Sequence, residues 1–173
     1  MSARPLTSGE RAMARSVFGE ALALDAVEVR RRRWWPFQPR RVVMAPMGHI
    51  HFHPRADFWH EDFSRAPLAL QGLLIHELCH VWQWQQGLFL PLRRHPFCRY
   101  DYVFEPGKPF AAYGIEQQAE IVRHAFLLER GALPKFFDSE FSDSEFSEKT
   151  GRPDRPSLAD YRAVLPFGPA QQT

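Results

Sequence analysis

Cysteine is scarce. Cys79 and Cys98 are the whole complement, too few for a disulfide framework to substitute for a packed core. Long apolar runs are missing as well, so no stretch approaches the length needed to span a bilayer. The start, Met1-Ser2-Ala3-Arg4-Pro5, leads into a charged amphipathic segment and not into a secretory leader. A dominant sign of charge is lacking too: the net charge is +2 in 173 residues, which removes any global polyelectrolyte argument for nucleic acid or membrane surfaces. These absences make the cytoplasm the default compartment, leave room for signal-independent export, and imply no membrane partner.

What is present is material for a core. Hydrophobic residues make up 45% of the chain, with 15 Phe and 5 Trp, enough for one domain and too little length for two comfortable ones. Thr7 or Ser8 can cap a helix over roughly Gly9–Leu24. Val27–Val29 and Arg41–Ala45 read as strands, and Gly48–His53 as a third, with Ile50 and Phe52 on one face and His49, His51 and His53 on the other. Pro67 opens a helix over Leu68–Gln86, apolar almost all round and therefore central, with Gly87 just past its end. An irregular, proline-bearing stretch follows, with Pro91, Pro96, Pro106 and Pro109. A second strong helix, about Ala112–Arg130, is closed by Gly131 and Pro134. The expected division is an α+β domain with a small antiparallel sheet over 1–135 and a tail over 136–173. In that tail Asp138-Ser139-Glu140-Phe141 recurs as Asp143-Ser144-Glu145-Phe146, an acidic serine-rich loop. A short helix from Ser157 to Leu165 packs back before the end.

His76-Glu77-Leu78-Cys79-His80 carries the chemistry. Two histidines at i and i+4 stand one above the other on a helix face, where their rings can converge on one tetrahedral metal. Glu77 lies beside that face, placed to act on a metal-activated water instead of ligating. Burying two histidines and a glutamate in so apolar a helix without a shared purpose would be costly. A third ligand should come from another element, and Glu116-Gln117-Gln118-Ala119-Glu120 supplies it. Glu116 and Glu120 share a helix face; the first can bind metal while the second fixes the tautomer of a ligand histidine. The reverse assignment stays open, and His124 is a weaker substitute. Cys79 turns off the metal and reads as a small buried hydrophobe; Cys98 is left unassigned.

His76–Gln83, read His-Glu-Leu-Cys-His-Val-Trp-Gln, and Tyr113–Val122, read Tyr-Gly-Ile-Glu-Gln-Gln-Ala-Glu-Ile-Val, resemble the Vgr-related or Rhs-associated metallopeptidases of proteobacteria. They are also similar to the domain with an H-E-x-x-H-x-x-Q motif found in contractile injection systems. The Glu116–Glu120 pattern resembles the third-ligand helix of gluzincins, except that the family usually has Asp where this chain has Glu120. The likeness runs more loosely from Thr7 to about Arg130. It implies an α+β, zincin-like fold, one zinc per chain held by His76, His80 and Glu116, and peptidase activity on a peptide or protein substrate. A secretion-system or effector protein is the other partner it suggests.

In that chemistry Glu77 takes the proton of the attacking water and later passes it to the leaving amine. Tyr113, Tyr100, Tyr102 and the strand histidines are the candidate oxyanion donors. Gly48–His53 is the natural edge along which an extended peptide adds as a strand.

Three rivals are weighed against this. His49, His51 and His53 on one strand face can make a different metal site. Arg30–Arg33 beside Trp34-Trp35, with Arg40-Arg41 nearby, can grip phosphates with stacking aromatics, although a solvated basic hairpin explains them as well. Finally, the metal can serve structure or partner binding within a secretion apparatus without turnover; an intact Glu77 argues against that.

Overall fold

A computed structural model describes residues 2–93, 102–105, 107–132 and 156–168. Tyr100, Cys98 and the acidic repeat at 138–146 lie outside the described residues.

The chain opens with β1 (Ala3–Pro5), too short and too close to Pro5 to show any periodicity. Helix α1 (Ser8–Phe18) follows behind a reciprocal cap: the Thr7 hydroxyl accepts the Glu10 amide at 3.1 Å and the Glu10 carboxylate accepts the Thr7 amide at 2.9 Å. Glu10 is fully buried, clasped by Arg4 through two 2.8 Å bonds, and also accepts the Phe63 amide at 2.8 Å. One carboxylate thus ties β1, α1 and the turn at Phe63–Arg65 together. The helix stops earlier than its apolar spacing predicts. Gly19 takes φ 53° and returns its amide to Arg15, and Leu22 and Leu24 reach the core from irregular backbone.

The sheet is mixed, not antiparallel as expected. Strand β2 (Glu28–Arg30) pairs antiparallel with β1 and parallel with β3 (Ile50–His51), in the order β1-β2-β3. The strand expected at Arg41–Ala45 shrinks to a single bridge between Met44 and His51. Buried Gln38 explains the loss: its amide nitrogen donates to the carbonyls of Val42 and His51 at 2.8 and 3.0 Å, and its oxygen accepts the Trp34 amide. The Val42 carbonyl, which could have extended the ladder, is already bonded, while that of His51 still accepts the Met44 amide. Ile50 and Phe52 bury as the alternation predicts, but His51 and His53 bury as well.

Helix α2 (Leu68–Gln85) is central, as its all-round apolar surface requires. A single turn, α3 (Leu90–Arg93), replaces the start of the expected irregular stretch. A 3-10 turn at Phe110–Ala112 and extended Tyr113 precede α4 (Ile115–Glu129), so this helix begins three residues later than predicted. Gln117 steadies its start by accepting the Gly114 amide at 3.0 Å. The principal helix packing is α2 against α4, with Gly72 permitting the approach: a Cβ there would lie 3.2 Å from Leu127 Cδ2. Helix α5 (Leu158–Val164), capped by Ser157, packs on α4 and inserts Tyr161 into the same core. Among the described residues no helix is long and apolar enough to cross a membrane.

Candidate metal centre

Helix geometry puts His76 and His80 one turn apart on α2, with ring centroids 4.9 Å apart. Their Nε2 atoms lie 3.2 Å from each other. Helix α4 brings Glu116 Oε2 to 3.0 Å from His80 Nε2 and 3.4 Å from His76 Nε2. All three side chains are buried, and among the described residues they are the one His/Cys/Asp/Glu group with ligand atoms gathered this closely. A tetrahedral ion with bonds near 2.0–2.1 Å separates its ligand atoms by about 3.3 Å. The triangle fits.

The far nitrogens of both rings are occupied in a way that leaves Nε2 for a metal. His80 Nδ1 stands 2.8 Å from Gln83 Oε1, and His76 Nδ1 stands 2.7 Å from Glu120 Oε1. Gln83, fully buried, is itself braced by bonds from its amide nitrogen to the Ile115 carbonyl and to Gln118 Oε1. Gln118 in turn donates to the Tyr113 carbonyl at 2.8 Å. Each of these oxygens acts as an acceptor, so both Nδ1 atoms carry a hydrogen and both Nε2 atoms face the triangle, able to ligate once they give up their protons. Sequence reasoning missed the supporting role of Gln83, although its i+3 spacing from His80 is a signal that could have found it.

The electrostatics match a site built for a cation. Burial pushes the His76 pKa down, but Glu116 and Glu120 outweigh it and hold the ring at about 9 without a metal. Burial likewise opposes ionisation of Glu120, yet His124 and His76 keep its carboxyl far below the usual range. Cys79 is fully buried, and burial, helped by Glu116, lifts its thiol well above the ordinary value, which suits an inert packing residue. Glu77 is buried beside His76, and its Oε2 has no hydrogen-bond partner among the described residues.

Other candidates fall elsewhere. The Tyr113 hydroxyl accepts the Glu105 amide at 3.0 Å and lies 3.4 Å from the Glu105 carbonyl, so the atom expected to face an oxyanion is engaged by a loop. Tyr102 directs its hydroxyl to His124 and Tyr161. The strand histidines do not gather: His53 Nδ1 accepts the Arg55 amide, His49 Nδ1 stands 4.0 Å from Glu28, and His51 is buried beside Gln38. The outer edge of β3 is not open for strand addition either, because Met44 exchanges both backbone bonds with His51 at 3.2 and 2.8 Å.

Comparison with known proteins places these features in a lineage. The solved effector domain of Pseudomonas aeruginosa VgrG2b superposes with a TM-score of 0.69 at 39% sequence identity, over 75% of this chain and 76% of that one. The chain belongs to the VgrG2b effector-domain family. The type VI secretion system spike protein VgrG2b of the same organism is 40% identical over an alignment of 132 residues that covers 72% of this chain and only 13% of that protein. No family model matches the chain. The Vgr-related likeness is therefore sound for the effector-domain family, while the activity and partners of a whole spike protein do not follow from so small a share.

Arg30, Arg32, Arg33 and Trp34 line an open cleft of about 610 Å³ with Met47, His49 and His51. Two of the four consecutive arginines are committed inside the molecule: Arg30 pairs with Glu28 at 2.7 Å, and Arg31 lies 5.4 Å over the Trp59 ring while donating to the Pro54 carbonyl. Arg30, Arg32 and Arg33 thus share one cleft with Trp34, while Arg31 is held at Trp59.

Proposed function

We propose that the domain is a zinc-dependent peptide hydrolase of zincin-like fold that works as an effector-type domain linked to a type VI secretion apparatus. The observation that carries the proposal is the buried triangle of His76, His80 and Glu116 with Glu77 beside it. Two imidazoles and a carboxylate are the ligand set of zinc peptidases, in which a fourth position stays open. Zinc bound there supplies Lewis acidity and makes water a nucleophile at neutral pH.

The protein's own share of the chemistry follows from its placement. Gln83 and Glu120 hold the ligand rings in the tautomer that binds metal. Glu77, buried and with an unpartnered oxygen, is the general base that takes the water proton and returns it to the departing amine. A peptide or protein is the substrate class this machinery serves.

Metal analysis of the purified chain is expected to give one zinc per protein, lost in His76→Ala and Glu116→Ala. Glu77→Gln should keep its zinc and lose hydrolysis of an unfolded protein substrate by about 100-fold or more. A Glu77→Gln variant that cleaves as fast as the parent overturns the general-base role. The rival reading, a zinc-holding, partner-binding component without turnover, shares the family and the metal. It gains if the parent holds stoichiometric zinc and leaves a broad peptide mixture uncut.

A further inference from the structure

Behind the metal triangle the polar contacts continue away from the site. Glu120 Oε1 faces His76 Nδ1 at 2.7 Å and Arg123 Nη1 at 3.3 Å, while Glu120 Oε2 faces His124 Nε2 at 3.3 Å. The other ring nitrogen of His124 lies 2.7 Å from the Tyr102 hydroxyl, which lies 2.9 Å from that of Tyr161 in α5. His124, Tyr102 and Tyr161 are all buried. We propose that His124 is a positioning residue for the ligand His76, acting through Glu120, and that Tyr102 and Tyr161 complete this line, making α5 part of the metal centre. The proposal rests on the metal-site reading above.

An ionised carboxylate only accepts, so Glu120 requires an N–H from both histidines. His124 thus turns Nε2–H toward Glu120, and its Nδ1 meets the Tyr102 hydroxyl, which donates to Tyr161. With Oε2 in charged contact with His124 Nε2 at 3.3 Å, rotation of the carboxylate is restricted and Oε1 stays against His76. His80 has no such reach: its support, Gln83, stands three residues along the same helix. The asymmetry means that one ligand is aligned locally, whereas the other is aligned by residues 102, 124 and 161, from three separate segments. Buried polar groups persist where each is satisfied, and packing alone between α4 and α5 is better served by apolar side chains.

The test uses the full chain, zinc affinity by chelator competition, and the visible spectrum of the cobalt(II)-substituted protein. His124→Leu is expected to weaken zinc binding by about 10–100-fold and to change the cobalt spectrum, the usual size of a lost support behind a metal ligand. His124→Gln, whose amide N–H can still reach Glu120, is expected to restore affinity to within about threefold of the parent. Tyr161→Phe keeps the ring packed 5.0 Å from Phe104 and removes only the hydroxyl. It should lose about threefold in affinity with its melting temperature nearly unchanged, and it carries the test if His124→Leu fails to fold. Parental affinity and an unaltered cobalt spectrum in folded His124→Leu, or in Tyr161→Phe if the leucine variant is unfolded, overturn the positioning role while leaving the metal site standing. A parent that binds neither ion overturns both.

Discussion

The two histidines proposed as ligands are held by chemically different residues, a neutral amide behind His80 and an ionised carboxylate behind His76. Its charge makes Glu120 the stronger acceptor, so under the metal-site proposal His76 is the ring whose electron density the protein raises most. Another histidine makes a separate, pH-dependent contribution to the fold. Burial first, then the charge of Arg30, with smaller effects from Arg32 and His49, depresses the His51 pKa to about 4 from an ordinary value of 6.5, and the backbone at Arg32 offsets part of this. A depressed base favours the neutral form in the folded state, so the unfolded chain binds the extra proton. Stability from this group is complete above about pH 6.5 and is lost as pH falls toward 4, by up to about 3 kcal/mol. Urea midpoints at pH 7, 5.5 and 4, with chelator present to remove any metal contribution, should fall more steeply in the parent than in His51→Gln. Equal slopes would refute the assignment.

Among the elements, the helices are more legible in the sequence than the sheet. Apolar spacing and the punctuation at Pro67 and Gly87 locate α2 to within a residue, and the H-E-x-x-H pattern together with Glu116 and Glu120 identifies the partner helix. Local signals carry that much. They do not carry β1, whose three residues have no period, or the loss of the Arg41–Ala45 strand, which depends on the side chain of Gln38 from outside it. The line from His124 to Tyr161 joins three separate segments, and no spacing rule links them. Gly48 shows a tertiary constraint that sequence conceals. It has φ +79°, and a Cβ there would stand 3.0 Å from Trp84 Cδ1 near the end of α2. Gly48→Ala is therefore expected to cost about 1–2 kcal/mol from the left-handed backbone alone, more if Trp84 cannot give way. Denaturant midpoints will measure it, and a neutral result would contradict the φ assignment.

At the scale of the whole molecule, the proposed ion bridges α2 and α4, the helix pair around which the core is arranged. Binding to the folded state alone adds about 2.7 kcal/mol at a free zinc concentration one hundred times the dissociation constant. For a chain of this size that corresponds to a rise of about 5–10 °C in melting temperature. Calorimetry with and without chelator should show this shift in the parent and not in His76→Ala; identical traces for the parent would exclude a metal that binds only the native fold. The same architecture settles how the short sheet meets its surroundings. Gln38 and Met44 together seal the carbonyls of Val42 and His51, so the free flank of β3 has no template to extend. Where other small sheets fend off neighbours with lysines or bulges, here one buried amide and a single bridge close the β3 edge to pairing with another copy of the chain.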